Sequence, residues 1–397
     1  MFSKSTQSRL AAVADGLKSV HLTDFAIAQR EFEVAEPPER AVPHIWKWRE
    51  ISPWLDKVYA GMSLEDLHRR TLTLVNPGLG GRPFAATTLT ASMSIYYPKD
   101  QVPVHRHMAN ASRFLLHGSG AYTTVGGEKC EMSRGDLVIT PNGEWHDHGN
   151  DGTEPIIWVN VLDVPLVDTL NATMTEWAYF ERDSNIDGGP MIKRLSQSFV
   201  QPVGYSEDLF GLGGIVTRFG PERRGRNVHS PKFVYRWNSV RALLQRLRHE
   251  AGSPYDAIIV EYTNPMNGDS VVPTMAFQAQ MLRPGETTRL HRHTSSTVYC
   301  AIEGGGFTEI DGRRFEWERN DLFVVPGWKW HRHVNADPRS DAFLYSVSDS
   351  PVHHKLNVYR EQEQLEDGTA KEIWPWPYKP EPGTRVSPEV VWDGAKP

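Results

Sequence analysis

The sequence predicts a mainly β protein built from two copies of an antiparallel barrel domain, with helical segments before the first copy and between the two. Three observations carry this. The first is an internal repeat: segment 101–150 contains HRH and then EMSRGDLVITPNGEWHDHGN, and segment 287–335 contains HRH and then EWERNDLFVVPGWKWHRHVN. His105 and His291 lie 291 − 105 = 186 residues apart, and His146 and His331 lie 331 − 146 = 185 apart. Offsets that agree within one residue mark duplication of a whole domain, not a short-period solenoid. The second is that LVITP and LFVVP are short β-branched runs bounded by turn residues, which read as strands. The third is a hairpin in each copy, AYTTVGGEKC and GFTEIDGRRFEW, whose Gly126-Gly127 and Asp311-Gly312 turns match the twist of paired strands. Many short strands with regular turns imply a closed or sandwiched antiparallel barrel.

Taken in order, residues 1–70 read as an N-terminal helical segment, in which SLEDLHRRTL has helical spacing and Ser63, followed by Glu65 and Asp66, forms a start signal. Residues 71–166 are the first barrel and 167–255 a helical linker, ending in VYRWNSVRALLQRLRHEAG with Gly252 as its stop. Residues 256–355 are the second barrel. The tail 356–397 contains IWPWPYKPEPG, where proline forbids a regular helix; it is expected to pack over a surface or a partner subunit.

Composition removes several classes of function. A net charge of −6 with no basic stripe argues against a nucleic-acid partner. No apolar run approaches the roughly 20 residues of a membrane span, and the N-terminal residues lack the apolar core of a secretory signal. Cys130 and Cys300 have neither CxxC nor paired spacing, so the reading is a reducing, cytoplasmic setting.

The chemistry lies in the histidines. His105 and His107 alternate with Arg106, so on a strand both imidazoles face one side. His146 follows 146 − 107 = 39 residues later, after Pro141 and Gly143, where a neighbouring strand can return it beside the pair. Three neutral imidazoles on one face suit a divalent transition metal and leave coordination positions open. Arg113 shares the parity of the ligand pair, and an inward arginine suits bidentate recognition of a carboxylate. His148 shares the parity of His146 and is a candidate base or hydrogen-bond donor.

Both repeats resemble the cupin domain: His105-Arg106-His107 leads to Gly118, then Gly135, Pro141-Asn142-Gly143, His146 and Asn150. Many cupins carry a glutamate ligand four residues after the second histidine; here Ala111 and Thr297 stand there. More narrowly, HRRTLTLVNPGLGG, PVHRHMANASRFLLHGSGAYTTVGGE, GDLVITPNGEWHDHGNDGTEPIIW and LHRHTSSTVYCAIEGGG resemble the gentisate 1,2-dioxygenase family, which includes salicylate and 1-hydroxy-2-naphthoate dioxygenases. The resemblance implies a bicupin with Fe(II) on His105, His107 and His146. It implies a small aromatic acid substrate, O2, ring opening between the carboxyl- and hydroxyl-bearing carbons, and a homotetramer. It also directs Arg113 and Arg69 at the substrate.

Asn160 sits where family members often carry aspartate, so the substrate class stays open among gentisate, salicylate, a 5-substituted salicylate and 1-hydroxy-2-naphthoate. Thr90 and Ser92 are small and would admit a bulkier ring if they line the pocket. The second repeat keeps His291, His293 and His331 and so has the ligands for a second metal. There, however, Tyr299 replaces Arg113, Asn320 replaces Gly135 and Trp328 replaces Gly143, and the resemblance places catalysis in the first barrel. A different metal-dependent cupin enzyme and a non-enzymatic metal-binding bicupin are the other readings.

Overall fold

The computed structural model describes residues 4–29, 33–67, 69–177, 180–182, 191–193, 201–213, 215–217 and 228–374. Residues 1–39 and 40–397 form separate compact units. The first unit contains the helix Lys4–Ser19 and the short turn of helix Phe25–Ala28. The second unit holds both barrels. Among the described residues, no helix is long and apolar enough to cross a membrane.

Each barrel is two antiparallel sheets. In the first, one sheet runs in the order Val234–Tyr235, Leu137–Thr140, Ala111–His117, Ile156–Leu162, Thr90–Tyr96, Thr71–Leu74. The other runs Thr175–Trp177, Gln101–His107, His146–Asn150, Ala121–Val125, Glu128–Met132. The second barrel repeats this pattern, with Glu361–Gln364 beside His291–His293 just as Thr175–Trp177 lies beside Gln101–His107. The hairpins close as the turn residues require. Gly126 and Gly127 have φ of +54° and +89°, and Asp311 and Gly312 have +47° and +74°, the doubly left-handed turn that matches strand twist.

The duplication extends beyond the histidines and is reciprocal. Strand His44–Trp46 and helix Trp48–Tyr59 precede the first barrel, yet the strand pairs with Leu322–Val325 of the second. Strand Val234–Tyr235 and helix Trp237–Arg246 precede the second barrel, yet the strand pairs with Leu137–Thr140 of the first. The anchor is the same in both cases. Asp321 accepts from the Trp48 backbone N–H (2.7 Å) and from Lys47 Nζ (2.9 Å). Asp136 accepts from the Trp237 N–H (2.9 Å) and from Arg236 (3.0 Å). A carboxylate at a helix N-terminus satisfies an amide that has no partner within the helix and meets the positive end of its dipole.

The inner sheets pack face to face. One apolar cluster runs through both barrels, from Met93, Phe114, Ile139 and Val159 to Phe277, Met281, Val298 and Tyr345. Phe114 and Tyr345 stack across it with ring centroids 4.3 Å apart. Each barrel has its own smaller core, around Leu115 and Trp158 in the first and around Trp317 and Phe323 in the second.

Three segments depart from the sequence reading. SLEDLHRRTL is helical only over Leu64–Leu67; the alternating Thr71-Leu72-Thr73-Leu74 becomes a strand against Thr90–Tyr96. Sheet pairing of a period-two pattern overrides local helix propensity here. The side chains of Glu65 and Asp66 lie outside the described residues. The linker is not wholly helical: the helices Val164–Thr169, Tyr205–Phe210 and Trp237–Arg246 are interleaved with strands such as Thr175–Trp177. The tail begins as a β-hairpin, Glu361–Gln364 and Ala370–Trp374, on the second barrel. Of IWPWPYKPEPG only Ile373 and Trp374 fall within the described residues.

Because one core serves both barrels, Phe114→Ala is expected to cost about 3–5 kcal/mol. Chemical denaturation should still show both barrels unfolding in one transition; two separate transitions would mean independent cores.

Candidate metal centre

Strand Gln101–His107 carries His105 and His107, and its antiparallel neighbour His146–Asn150 carries His146 and His148, with His105 directly opposite His146. Strand parity sends all four imidazoles into the first barrel, where each is buried. The ring centroids of His105 and His146 are 4.2 Å apart, His107 and His146 4.8 Å, and His105 and His107 5.9 Å. The turn after Pro141 closes back on the pair, with the Gly143 N–H donating to the His107 carbonyl (2.9 Å). Gly143 has φ of +77°, a backbone conformation that glycine adopts without strain.

Three of the imidazoles are locked by backbone. His105 Nδ1–H donates to the Pro103 carbonyl at 2.8 Å, His107 Nδ1–H to Ala109 at 2.7 Å, and His146 Nδ1–H to Glu144 at 2.8 Å. A proton fixed on Nδ1 leaves the Nε2 lone pair as the free donor, the arrangement metal-binding histidines use. Nε2 of His107 and of His146 are buried without a hydrogen-bond partner. His148 differs. Its Nε2 lies 3.0 Å from Arg113 and its Nδ1 3.2 Å from the Thr123 hydroxyl. An arginine only donates, so Nε2 of His148 is an acceptor and its proton sits on Nδ1. The ligating atoms of His105, His146 and His148 all lie within 4.8 Å of one another. His105 shares the backbone lock of His107 and His146, and its Nε2 meets only the Arg69 guanidinium, whereas His148 has no backbone lock and is held between the Arg113 and Thr123 side chains.

Charge around the cluster is positive. Burial above all, with the nearby arginines adding, holds His105 and His148 well below the usual histidine range and His107 down to about 4. His146 is held low by burial and then by His105 and Arg113. All four are therefore neutral near pH 7, the form that binds metals. Arg113 is 3% exposed and donates to Thr140 Oγ1 at 2.5 Å. Burial, then repulsion from Arg69, pulls its pKa down to about 9, which still leaves it charged. Arg69 lies in the connector between Leu64–Leu67 and Thr71–Leu74, not on a helix, and its guanidinium touches His105 Nε2. Among the described residues neither arginine pairs with a carboxylate. Two cations close together in a cleft, with no acidic partner among the described residues, are arranged in a way that would suit an anion.

A cavity of about 330 Å³ opens on this cluster, lined by Arg69, Arg113, His148, Asn160, Tyr96 and Phe84 among others, a volume within the range of small-molecule sites. Thr90 and Ser92 line it too. Asn160 faces Arg113 across adjacent strands, and its Nδ2 donates to Ser94 Oγ (2.9 Å) and Ser92 Oγ (3.3 Å). A second cavity, beside His107, is walled by Met174, Leu162 and Trp177. Trp177 lies opposite His105 in the strand register, with ring centroids 5.0 Å apart.

Sequence reasoning missed Thr123, Thr140, Tyr96 and Trp177. Thr123 had a signal: Thr308 stands 308 − 123 = 185 residues on and holds His333 Nδ1 at 2.9 Å in the same way. Trp177 had none, since nothing in its neighbourhood marks a strand bound for the histidine sheet.

The chain matches the cupin domain family over residues 92–162 and 279–348. It is 34% identical to a 5-aminosalicylate 1,2-dioxygenase of Comamonas sp. over 90% of this chain and 91% of that one. It is likewise 34% identical to a gentisate 1,2-dioxygenase of Ralstonia sp., over 81% and 85%. The crystal structure of the salicylate 1,2-dioxygenase from Pseudoaminobacter salicylatoxidans with gentisate superposes with a TM-score of 0.79 at 27% identity, covering 92% of this chain and 96% of that one.

Thr140 accepts one of the few hydrogen bonds open to buried Arg113. Thr140→Val keeps the shape and removes that acceptor, so urea denaturation should show a loss of about 1–3 kcal/mol. An unchanged midpoint would mean that Arg113 is satisfied without it.

Proposed function

Since this chain belongs to the gentisate 1,2-dioxygenase family of bicupin ring-cleaving dioxygenases, we propose that its first barrel holds Fe(II) on His105, His107 and His146. There it opens the ring of a salicylate-type acid between the carboxyl- and hydroxyl-bearing carbons. The observation that carries this reading is that Arg113 and Arg69, neither paired with a carboxylate among the described residues, face a tight group of neutral imidazoles. Three neutral ligands leave the cation its full charge, and a chelating anion is the partner that such a site attracts.

Fe(II), when bound, supplies the redox chemistry that joins an electron-rich ring to O2. The chain supplies the rest. Arg113 takes the substrate carboxylate as a bidentate partner. His148 and Thr140 aim the guanidinium beforehand, so little order is lost on binding. Once Arg113 turns to the carboxylate, Nε2 of His148 is released and can accept the phenol proton, with Thr123 holding the ring from the other side. Arg69 cannot donate to a nitrogen that binds metal, so its guanidinium must leave His105 and becomes a second contact for the anion.

Asn160 sharpens the substrate class. Its amide hydrogens go to Ser92 and Ser94, which leaves the amide oxygen as an acceptor. An acceptor on the cavity wall favours a ring carrying a second donor, a hydroxyl or an amine as in gentisate or 5-aminosalicylate. The same reading takes the assembly as a homotetramer, which light scattering decides. It places the protein in the cytoplasm, where thiols such as the free, buried Cys130 and Cys300 stay reduced.

The test is O2 uptake with gentisate, 5-aminosalicylate, salicylate and 1-hydroxy-2-naphthoate, following the ring-opened product by absorbance. Turnover should vanish on removing iron and return with Fe(II); turnover by the iron-free protein would overturn the assignment. Arg113→Ala should lower kcat/KM for carboxylated substrates by about 1.5–3 kcal/mol. Asn160→Leu should narrow the preference for 5-hydroxy and 5-amino rings over salicylate; an unaltered preference would remove Asn160 from recognition.

A further inference from the structure

The second barrel repeats the metal geometry of the first while lacking its anion site. The ring centroids of His291 and His331 are 4.3 Å apart, His293 and His331 5.1 Å, and His291 and His293 5.6 Å. The corresponding distances in the first barrel are 4.2, 4.8 and 5.9 Å. Two of the backbone locks recur at the same offsets: His293 Nδ1–H donates to the Ser295 carbonyl (2.8 Å) and His331 Nδ1–H to that of Lys329 (2.9 Å). Nε2 of His291 and Nε2 of His331 meet at 2.8 Å. His331 keeps its proton on Nδ1, so its Nε2 is the acceptor there, and the contact brings two ring nitrogens to one point beside His293, where a cation could take both.

The turn beside His293 is also retained against its sequence. Trp328 stands where the first repeat has Gly143, adopts φ of +62°, and still donates its N–H to the His293 carbonyl (2.6 Å). A bulky residue in the left-handed region is strained, and such strain persists where the surroundings hold it. The surroundings here are guanidiniums over the indole: Arg292 at 4.2 Å and Arg360, at the start of the C-terminal hairpin, at 4.8 Å.

The third lock is what differs. His291 Nδ1 has no hydrogen-bond partner among the described residues; the Glu361 carboxylate lies 3.7 Å away, beyond hydrogen-bond reach but close enough to close on it. Glu361 lies opposite His293 in the strand register, the place Thr175 takes opposite His107 in the first barrel. The hairpin strand thus brings a carboxylate to the triad, while Tyr299 takes the place of Arg113 and stacks on Phe323 and against His333. The site is therefore suited to a cation and unsuited to an anionic substrate.

We propose that the second barrel holds a divalent transition-metal ion of its own on His291, His293 and His331, and that Glu361, by securing His291, makes this ion a structural clasp for the C-terminal hairpin. Imidazole donors with a nearby carboxylate suit Fe(II), Co(II), Ni(II) or Zn(II). A carboxylate behind a ligating histidine raises its basicity and fixes its ring.

The test strips the full-length protein of metal and titrates Co(II) by equilibrium dialysis. The wild type should bind two equivalents, His293→Ala one and His107→Ala one. Glu361→Gln, which keeps the shape and leaves all three imidazoles, should bind one equivalent as before and the other roughly ten- to hundredfold more weakly. Hydrogen exchange over residues 361–364 should quicken in metal-loaded His293→Ala and stay unchanged in His107→Ala. A single equivalent in the wild type that survives His293→Ala would overturn the second centre and leave the first intact. Wild-type affinity for both equivalents in Glu361→Gln would overturn the clasp. If His107→Ala kept both equivalents, the first-barrel assignment would fail instead.

Discussion

Three hydrogen bonds from imidazole Nδ1 to backbone carbonyls, at Pro103, Ala109 and Glu144, hold the first barrel's chemistry in place. Each carbonyl belongs to a residue two positions from its histidine, so each strand or the turn adjoining it aims the imidazole it carries. A free histidine samples two tautomers and several rotamers. These have one tautomer and one direction, inward, with Nε2 turned to the interior of the barrel. Burial keeps the rings neutral, since a protonated imidazole would have to be charged among two arginines in a poorly solvated space. Ring direction, protonation state and the positive surroundings therefore have a common origin in the closed barrel.

The same barrel explains how one copy could diverge. The inner sheets share an apolar core that neither barrel can abandon, and the reciprocal strand–helix exchange ties each barrel to the segment that precedes the other. The outer, histidine-bearing sheets carry no such burden. There, replacing Arg113 by its counterpart Tyr299 changes the sign preference of the cavity without touching the interface. An arginine buried without an acid is costly to a fold. Its presence in the first barrel, where the second has Tyr299, is a chemical difference between two otherwise matching histidine clusters.

Much of this was legible in the sequence, and the reasons are particular. The HRH pairs, the recurring offsets and the Gly126-Gly127 and Asp311-Gly312 turns express period-two and turn rules that act locally, so the barrels and the histidine face follow from them. The exchange of His44–Trp46 and Val234–Tyr235 was not legible, because nothing local says which of two similar sheet edges a strand will join. Thr71 and Leu72 looked helical as the end of SLEDLHRRTL, and only the edge offered by Thr90–Tyr96 decides otherwise. Glu361 looked like one more charge in a tail; its meaning depends on the register that sets it beside His293. The partner of His148 was equally hidden, since parity placed both it and Arg113 inward but could not say that they touch.

The central claim is that a single metal ion in the first barrel is gripped by His105, His107 and His146, with His148 left to manage the arginine. Anomalous diffraction at the iron edge, from crystals grown anaerobically with Fe(II), tests it most directly. The account predicts a peak within bonding distance of the Nε2 atoms of those three histidines and farther from His148. A peak bonded to His148 in place of His107, or no peak in the first barrel of crystals that still turn over substrate, would contradict it.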